Sequence, residues 1–464
     1  MQELETPTAS YAERLAGYTA GLSLEEVPDN VVSHAKHLLL DLLGAALAGV
    51  DTPEAQAAAK GVATLFPGGG PCTLWGGAQT SSAPGAALYN GIVSHARELD
   101  DFGGADHSGA VVIPALMAVA EAYPVISGKR LLEGMIVGYE VCRRVLDSAG
   151  GYRPHNHGDG FHSTGTCGAF GGAAAVARAL NLDVQQTAWA IGLAGTFTGG
   201  TWAFSGEAAM SKRYNVGRAA ESGVTAACLA KNGFTGPRQV FEARWGGFWG
   251  TYARTAQKPE ALLANLGTEY GLMRSGIKPY AACRDIHSTL DVILQIKDNH
   301  RLAAEDIATI KVRCIPEMMQ MVGGTSSPRS RLQAQLSLPY SVGVLLATGR
   351  AFIEEFEAPY LTDPRVLKLA ALVELVESPE LPYDSEPYIS VETVDGRIIE
   401  DHVDYAGGAP QNPLAPQTVI EKYRALAART LDQTRVERLE KSILGIETCQ
   451  DVRSITSCLR PGHR

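Results

Sequence analysis

Four polar clusters interrupt an otherwise apolar, small-residue chain, and each holds side chains able to move protons or bind anions. The first runs His95-Ala-Arg-Glu98-Leu-Asp-Asp101 and continues at Asp106-His107-Ser108-Gly109. Read as a helix, it places His95 and Glu98 on one face and Asp101 near the helix end. An imidazole beside carboxylates suits general acid–base chemistry, because the acid fixes the tautomer while the ring exchanges the proton. A solvated helix end, with His107 capping the apolar residues 110–113, would give the same letters.

The second cluster is His155-Asn-His157-Gly-Asp159-Gly-Phe-His162. Three histidines and an aspartate invite a metal reading. The spacing lacks the i, i+4 histidine pair of a zincin helix, however, and Gly158 and Gly160 imply a loop, so no metal is expected. His162 is the better single candidate. It sits where the loop meets a Gly/Ala helix, whose N-terminus supports an anion and depresses the pKa of a nearby imidazole.

The third cluster, Met210-Ser-Lys212-Arg213-Tyr-Asn-Val-Gly-Arg218, carries three cations at one end of an Ala-rich helix. Buried cations need a counter-charge. Either Glu207 and Glu221 supply it, or substrate carboxylates do, with Lys212 innermost. The fourth is Lys278-Pro-Tyr280-Ala-Ala-Cys-Arg284-Asp-Ile-His287. A Lys, an Arg and a His at a domain boundary fit a cleft for a multiply charged acid, and structural salt bridges would use the same residues.

Nucleotide cofactors find no support. Gly165-Thr-Cys-Gly168-Ala-Phe-Gly171 is not a dinucleotide fingerprint and follows no strand, and no Walker A, GxSxG or HExxH motif occurs.

The elements that must position these clusters are helical up to about residue 270. Val31, Val32, Ala35, Leu38, Leu39, Leu42 and Leu43 recur at helical spacing after Pro28-Asp29, and Ser127 is a candidate N-cap for an apolar set ending at Tyr139. Residues 165–180 and 219–230 are nearly all Gly and Ala, the composition of helices packed closely against neighbours. After residue 300 the period changes. Residues 309–314 alternate as a half-buried strand, and Asp395-Gly396 between residues 388–394 and 397–400 marks a hairpin. Helices are expected at about 285–297, 331–348, 419–428 and 436–444. The expectation is a mainly α protein: a large all-helical domain from both chain ends (1–272 and 406–464) with an inserted, smaller α+β lid domain (273–405).

The 464 residues hold 50 acidic and 40 basic side chains, a net charge of -10. That argues against a nucleic-acid or anionic-membrane partner, which needs a basic field, but not against a small acid in a local cationic pocket. No apolar run approaches the roughly 20 residues of a membrane helix. Residues 38–50 carry Asp41, and the polar start MQELETPTAS lacks a signal-peptide pattern. Eight scattered cysteines without a CxxC pair suggest reduced thiols and a cytoplasmic protein.

Taken in order, the clusters resemble the MmgE/PrpD family, which includes 2-methylcitrate dehydratases, cis-aconitate decarboxylases and iminodisuccinate epimerase. The resemblance runs from DLLGAALAG at residue 41 through NGIVSHARELDD, HSGAVVIPALMAVAE, GYEVCRR and GFHSTGTCGAFGGAAAVARAL. It continues through MSKRYNVGRAAESGV and KNGFTGPRQVFE to IKPYAACRDIHS. It implies a helical domain with an α+β lid, a homodimer, and catalysis without metal, cluster or other cofactor. Carried over by position, the family's active-site acid falls on Glu98 with Asp101 beside it. Its histidines fall on His107, His162 and His287, its lysine on Lys212, and a tyrosine of the decarboxylases on Tyr340. Glu98 stands where Asp is commoner and Phe102 where Thr is usual. The Pro after the His107 equivalent is missing, and the stretch between Asp101 and His107 is one residue short.

The implied chemistry is proton transfer at a carbon next to a carboxylate. Its enolate-like intermediate needs preorganised cations and donors. Lys212 and His162 are expected to supply these, and His107 to act as base or acid, with Glu98 or Asp101 fixing its tautomer. Arg213, Lys278, Arg284, His287 and Tyr340 are expected to bind a di- or tricarboxylate substrate. A hydro-lyase (dehydratase) acting on a hydroxy acid is the first expectation. The alternatives are an epimerase of an imino- or hydroxydicarboxylate, a cis-aconitate-type decarboxylase, and a non-catalytic carboxylate-binding protein.

Overall fold

The computed structural model describes residues 9–103, 106–123, 125–151, 155 and 158–460. It is mainly α-helical with two small sheets. The helix Asp29–Gly49 shows how the pattern becomes packing. Its first turns bury only Val31 and Ala35, whereas from Leu38 onward every residue is buried. By length and composition it could cross a bilayer. Here it lies inside the protein, and the ammonium of Lys422 neutralises its Asp41 at 2.7 Å. That lysine belongs to the helix Pro416–Ala427, whose Val419, Tyr423 and Ala427 join the same apolar cluster as Leu38–Leu43, as do Val436, Leu439 and Ile443 of Gln433–Leu444. The end of the chain therefore completes the core begun near its start.

Small residues set the spacing of the helices around the site. Gly128–Ser148, Gly168–Ala179 and Ser211–Lys231 meet backbone to backbone. A Cβ on Gly171 would lie 2.5 Å from the Gly138 carbonyl oxygen, and one on Gly223 2.6 Å from the Gly172 carbonyl carbon. Any larger side chain there would force the helices apart. The Ser127 hydroxyl caps Gly128–Ser148 by accepting from the Arg130 amide at 3.3 Å.

A second apolar cluster, largely from residues 281–391, surrounds the larger sheet. After the two-residue strands β1 (Cys72–Thr73) and β2 (Thr80–Ser81), the strands are β3 (Ile307–Cys314), β4 (Val373–Glu377), β5 (Tyr388–Thr393) and β6 (Ile398–Asp401). Their order is β4-β3-β5-β6, with β3 parallel to β4 and the other pairs antiparallel. Ile310, Val312 and Cys314 of β3 are buried while Lys311 and Arg313 point outward, the alternation expected of a half-covered strand. The β5–β6 turn uses Gly396 at φ 85°.

Three local expectations are corrected. Residues 165–180 are two helices, Ser163–Thr166 and Gly168–Ala179, rather than one. Residues 331–348 also divide, into Arg331–Gln335 and Leu338–Thr348, because Ser337 starts a new helix by capping the Tyr340 amide at 3.1 Å. The helix of the first polar cluster is Ala83–His95 and stops at His95, so Glu98 lies beyond it.

Candidate active site

Glu98 is where the chain departs from helical geometry. It has φ 54°, in the left-handed region that non-glycine residues seldom enter, and this turns its side chain inward. Its carboxylate is fully buried and meets cations from two directions. The ammonium of Lys212, in the first turn of Ser211–Lys231, donates to Oε1 at 2.6 Å. Lys278 donates to Oε2 at 3.2 Å. The guanidinium of Arg213 lies 3.2 Å from Oε1. The counter-charge of Lys212 and Arg213 is therefore Glu98, whereas Arg218, the third cation of that cluster, pairs with Glu221 as one of the two expected readings had it. Burial pushes the Glu98 carboxyl up, but Lys212, Lys278, His95 and Arg213 together outweigh it and hold the group well below the usual range.

Glu98, Lys212 and Lys278 lie at the floor of a cleft. Its lining comes from Glu98, Phe102, His107, His162, Trp202 and Lys212 of the first part of the chain and from Lys278, Cys283, Arg284, Asp285 and Met321 of the later part. His107 occupies the N-cap position of Ser108–Ala122 but caps nothing with its side chain. Its Nδ1 lies 3.0 Å from Asp100 Oδ2 and 3.0 Å from the Asp101 carbonyl oxygen. Neither the Glu98 nor the Asp101 side chain fixes its tautomer, contrary to expectation: Asp100 takes that place.

His162 is buried against Trp202 and Phe204, with ring centroids 5.3 and 5.2 Å away. The Asn215 amide donates to its Nδ1 at 3.2 Å, leaving Nε2 to carry the hydrogen. Burial depresses the His162 pKa first, and Lys212 next, so the ring is a neutral donor. The expected cause, a helix N-terminus, is not what dominates.

The other candidates divide. Arg284 lines the cleft, with its guanidinium on Glu386 and over the Phe102 ring at 5.4 Å. Arg213 is buried behind Glu98 and also reaches Gln335 at 3.4 Å, outside the cleft lining. His287 is buried next to Tyr280 and shares Nε2 with the Ala282 carbonyl at 3.2 Å. Tyr340 is buried in the second apolar cluster, where its hydroxyl donates to the Glu355 carbonyl at 2.8 Å. Neither His287 nor Tyr340 lines the cleft. Asp101 is buried below it, beside Tyr139 at the tightly packed Gly109. Burial and the neighbouring Asp100 raise its carboxyl to about 7.

Residues 13–260 match the MmgE/PrpD N-terminal domain and residues 280–448 the MmgE/PrpD C-terminal domain. The chain belongs to the MmgE/PrpD family. It is 30% identical to the cis-aconitate decarboxylase-like protein oryM of Aspergillus oryzae, over 98% of both chains. It is 29% identical to human cis-aconitate decarboxylase, over 97% of this chain and 95% of the relative. With the cis-aconitate decarboxylase of Aspergillus terreus the identity is 27%, over 95% and 94%.

The metal reading of the second cluster does not assemble among the described residues. His155 faces Thr166 Oγ1 inside an aromatic nest of Phe161, Phe248 and Tyr252, Asp159 is exposed, and His157 lies outside the described residues. A different trio, His95, Glu98 and His107, brings ligand atoms within 4.8 Å of one another. It does not fit a resident cation. Both Glu98 oxygens are taken by ammonium groups, and Lys212, Lys278 and Arg213 would repel a second positive centre. The same arrangement suits an anion.

Asp100, Asn215, Trp202 and Asp285 are members of the site that the sequence reading missed. A second acid directly after Leu99 reads as a solvated helix end. Asn215 was hidden among the cations of its own helix, although it lies i+3 from Lys212 and so on the same face.

Proposed function

We propose that this protein is a cofactor-independent lyase acting on a di- or tricarboxylate, with loss of carbon dioxide from a cis-aconitate-type acid as its leading reaction. One observation carries the reading: two buried ammonium groups meet on one carboxylate at the floor of a cleft walled by two imidazoles. Lys212 and Lys278 draw the substrate carboxylates down, and neutral His162 donates through Nε2–H. As the C–C bond breaks, its electron pair delocalises onto the adjoining unsaturated acid, where the fixed cations stabilise the growing charge. The imidazolium of His107 then delivers a proton from Nε2 to carbon and is recharged from solvent. Decarboxylation is placed ahead of dehydration because the relatives named cis-aconitate decarboxylases align over nearly the whole chain.

A hydro-lyase acting on a hydroxy acid is the second reading, favoured by Asp285. This half-buried carboxyl lines the cleft, and burial raises it above the usual range, which suits an acid that protonates a leaving hydroxyl. We also read residues 273–405 as an inserted domain closing over the cleft, since Lys278 and residues 283–285 contribute to its lining.

The test is a panel of di- and tricarboxylates in heavy water followed by NMR, with and without chelator. The expected result is carbon dioxide release with one deuterium newly bound to carbon in the product, unchanged by chelator. The same substrate should slow amide exchange in the 278–285 segment. Alkene formation without carbon dioxide would move the assignment to the hydro-lyase. Deuterium uptake without either loss would move it to the epimerase. Activity that falls with chelator and returns with metal would overturn the cofactor-free reading.

A homodimer is proposed as well. Phe197, Met210 and Tyr214, all about half exposed, flank the start of Ser211–Lys231. Light scattering on the purified protein should give twice the 49.2 kDa chain mass; a monomer at micromolar concentration would sink the idea.

A further inference from the structure

The carboxylate of Asp100 holds two imidazoles at once. Its Oδ2 lies 2.9 Å from His95 Nδ1 and 3.0 Å from His107 Nδ1, and Oδ1 lies 3.0 Å from His95 Nδ1. The two rings are 4.4 Å apart, centroid to centroid, tilted by 56°. An ionised carboxylate only accepts hydrogen bonds, so both rings must present Nδ1–H to it. His107 has a second acceptor for the same hydrogen in the Asp101 carbonyl. On both rings this leaves Nε2 with the lone pair.

The two histidines nevertheless stand in different surroundings. His95 is completely buried, and its Nε2 has no hydrogen-bond partner, with Glu98 Oε1 3.7 Å away. Burial depresses its pKa to about 3, against the pull of Asp100 and Glu98. His107 reaches the cleft. Two imidazolium ions 4.4 Å apart would repel each other, and a single buried carboxylate compensates only one of them.

We propose that Asp100 is the positioning residue of the site. Its carboxylate locks His107 in the Nδ1–H tautomer with Nε2 towards the substrate, and it supplies the negative charge that lets His107, and not His95, carry the catalytic proton. His95 remains neutral and holds the other side of the carboxylate in place. This rests on the reading of His107 as the acid–base group. The titratable and charged groups around His107 are Asp100, Asp101 and His95, with His162, Lys212 and Glu98 lining the same cleft. Of the carboxylates among them, Asp100 contacts the His107 ring through a side-chain oxygen.

The experiment combines Asp100→Asn kinetics with histidine nitrogen NMR. In the wild-type protein, long-range proton–nitrogen spectra should show neutral His95 and His107 as Nδ1–H tautomers. Asp100→Asn should lower kcat on the order of 10²–10³-fold with KM within a few-fold. The alkaline limb of its kcat–pH profile should move to lower pH, because an imidazolium that loses its carboxylate gives up its proton more readily. Asp100→Glu should restore part of the rate and of the profile. If the Asn variant fails to fold, the wild-type tautomers still decide: Nε2–H on His107 overturns the proposal. A folded Asp100→Asn with an unshifted profile overturns it too. His107→Asn, run in parallel, separates the two claims. Full turnover in that variant would refute the acid–base reading itself, whereas an inactive His107→Asn with an unmoved Asp100→Asn refutes only the role of Asp100.

Discussion

Lys212→Ala is expected to lower kcat by on the order of 10²–10³, a larger effect than the rise in KM from the lost carboxylate contact. The reason is the difference between the charge Lys212 meets at rest and the charge it meets during reaction. In the free protein it shares Glu98 with Lys278 and Arg213, so one carboxylate is divided among three cations. The negative charge that develops on the substrate is what the third cation is free to stabilise. Glu98 keeps Lys278 and Arg213 when Lys212 is removed, so the melting temperature should move by no more than a few degrees in either direction. A structural ion pair would behave in the opposite way. Near-wild-type turnover combined with markedly earlier unfolding would return the cluster to a purely structural role. Arg213 gives the contrast. It is buried away from the cleft, with Nε and Nη1 lacking hydrogen-bond partners, and its work is to hold Glu98 and Gln335.

Why some of this was legible in the sequence and some was not follows from the range of the forces involved. Periodicity is local, and it located the start of the helix Asp29–Gly49, and it placed the strand Ile307–Cys314 and the Asp-Gly hairpin within a few residues of their observed ends. It missed β4, because Leu372, Val373, Leu375 and Val376 satisfy helical spacing as well as they do a strand, and only the parallel pairing with β3 decides. Lys212, His107 and His162 stood out as polar residues amid small apolar ones, and the fold does gather them at one cleft. What each one touches depends on contacts across more than a hundred residues, as between Lys212 and Glu98. Sequence spacing could therefore suggest Glu98 or Asp101 as the partner of His107, but the left-handed turn at Glu98 swings that carboxylate to the lysines and gives Asp100 to the imidazoles. Tyr340 and His287 show the reverse failure. Matched by position alone, they lie outside the cleft lining, with His287 Nε2 and the Tyr340 hydroxyl bonded to backbone carbonyls.

Glu98→Gln should produce the largest loss of stability of any single substitution at the site, about 3 kcal/mol or more at neutral pH. The carboxylate is the shared counter-ion of Lys212, Lys278 and Arg213, all buried, and an amide leaves the three cations without the charge they directly contact. Partial deprotonation of a lysine limits the damage and sets the lower end of the effect. The pH dependence follows from the direction of the Glu98 shift. Its carboxyl is held well below the 4.5 of an unfolded chain, so the stability it contributes is complete above about pH 4.5. That contribution is lost as the pH falls through the lower, folded-state value. Denaturant melts of wild type and Glu98→Gln should accordingly differ most at pH 7 and converge as the pH drops below 4.5. A constant difference across that window would mean that Glu98 matters for its shape and not its charge. A variant as stable as wild type at pH 7 would show that the three cations are neutralised by something other than Glu98, and the anion-binding floor of the cleft would have to be rebuilt around that group.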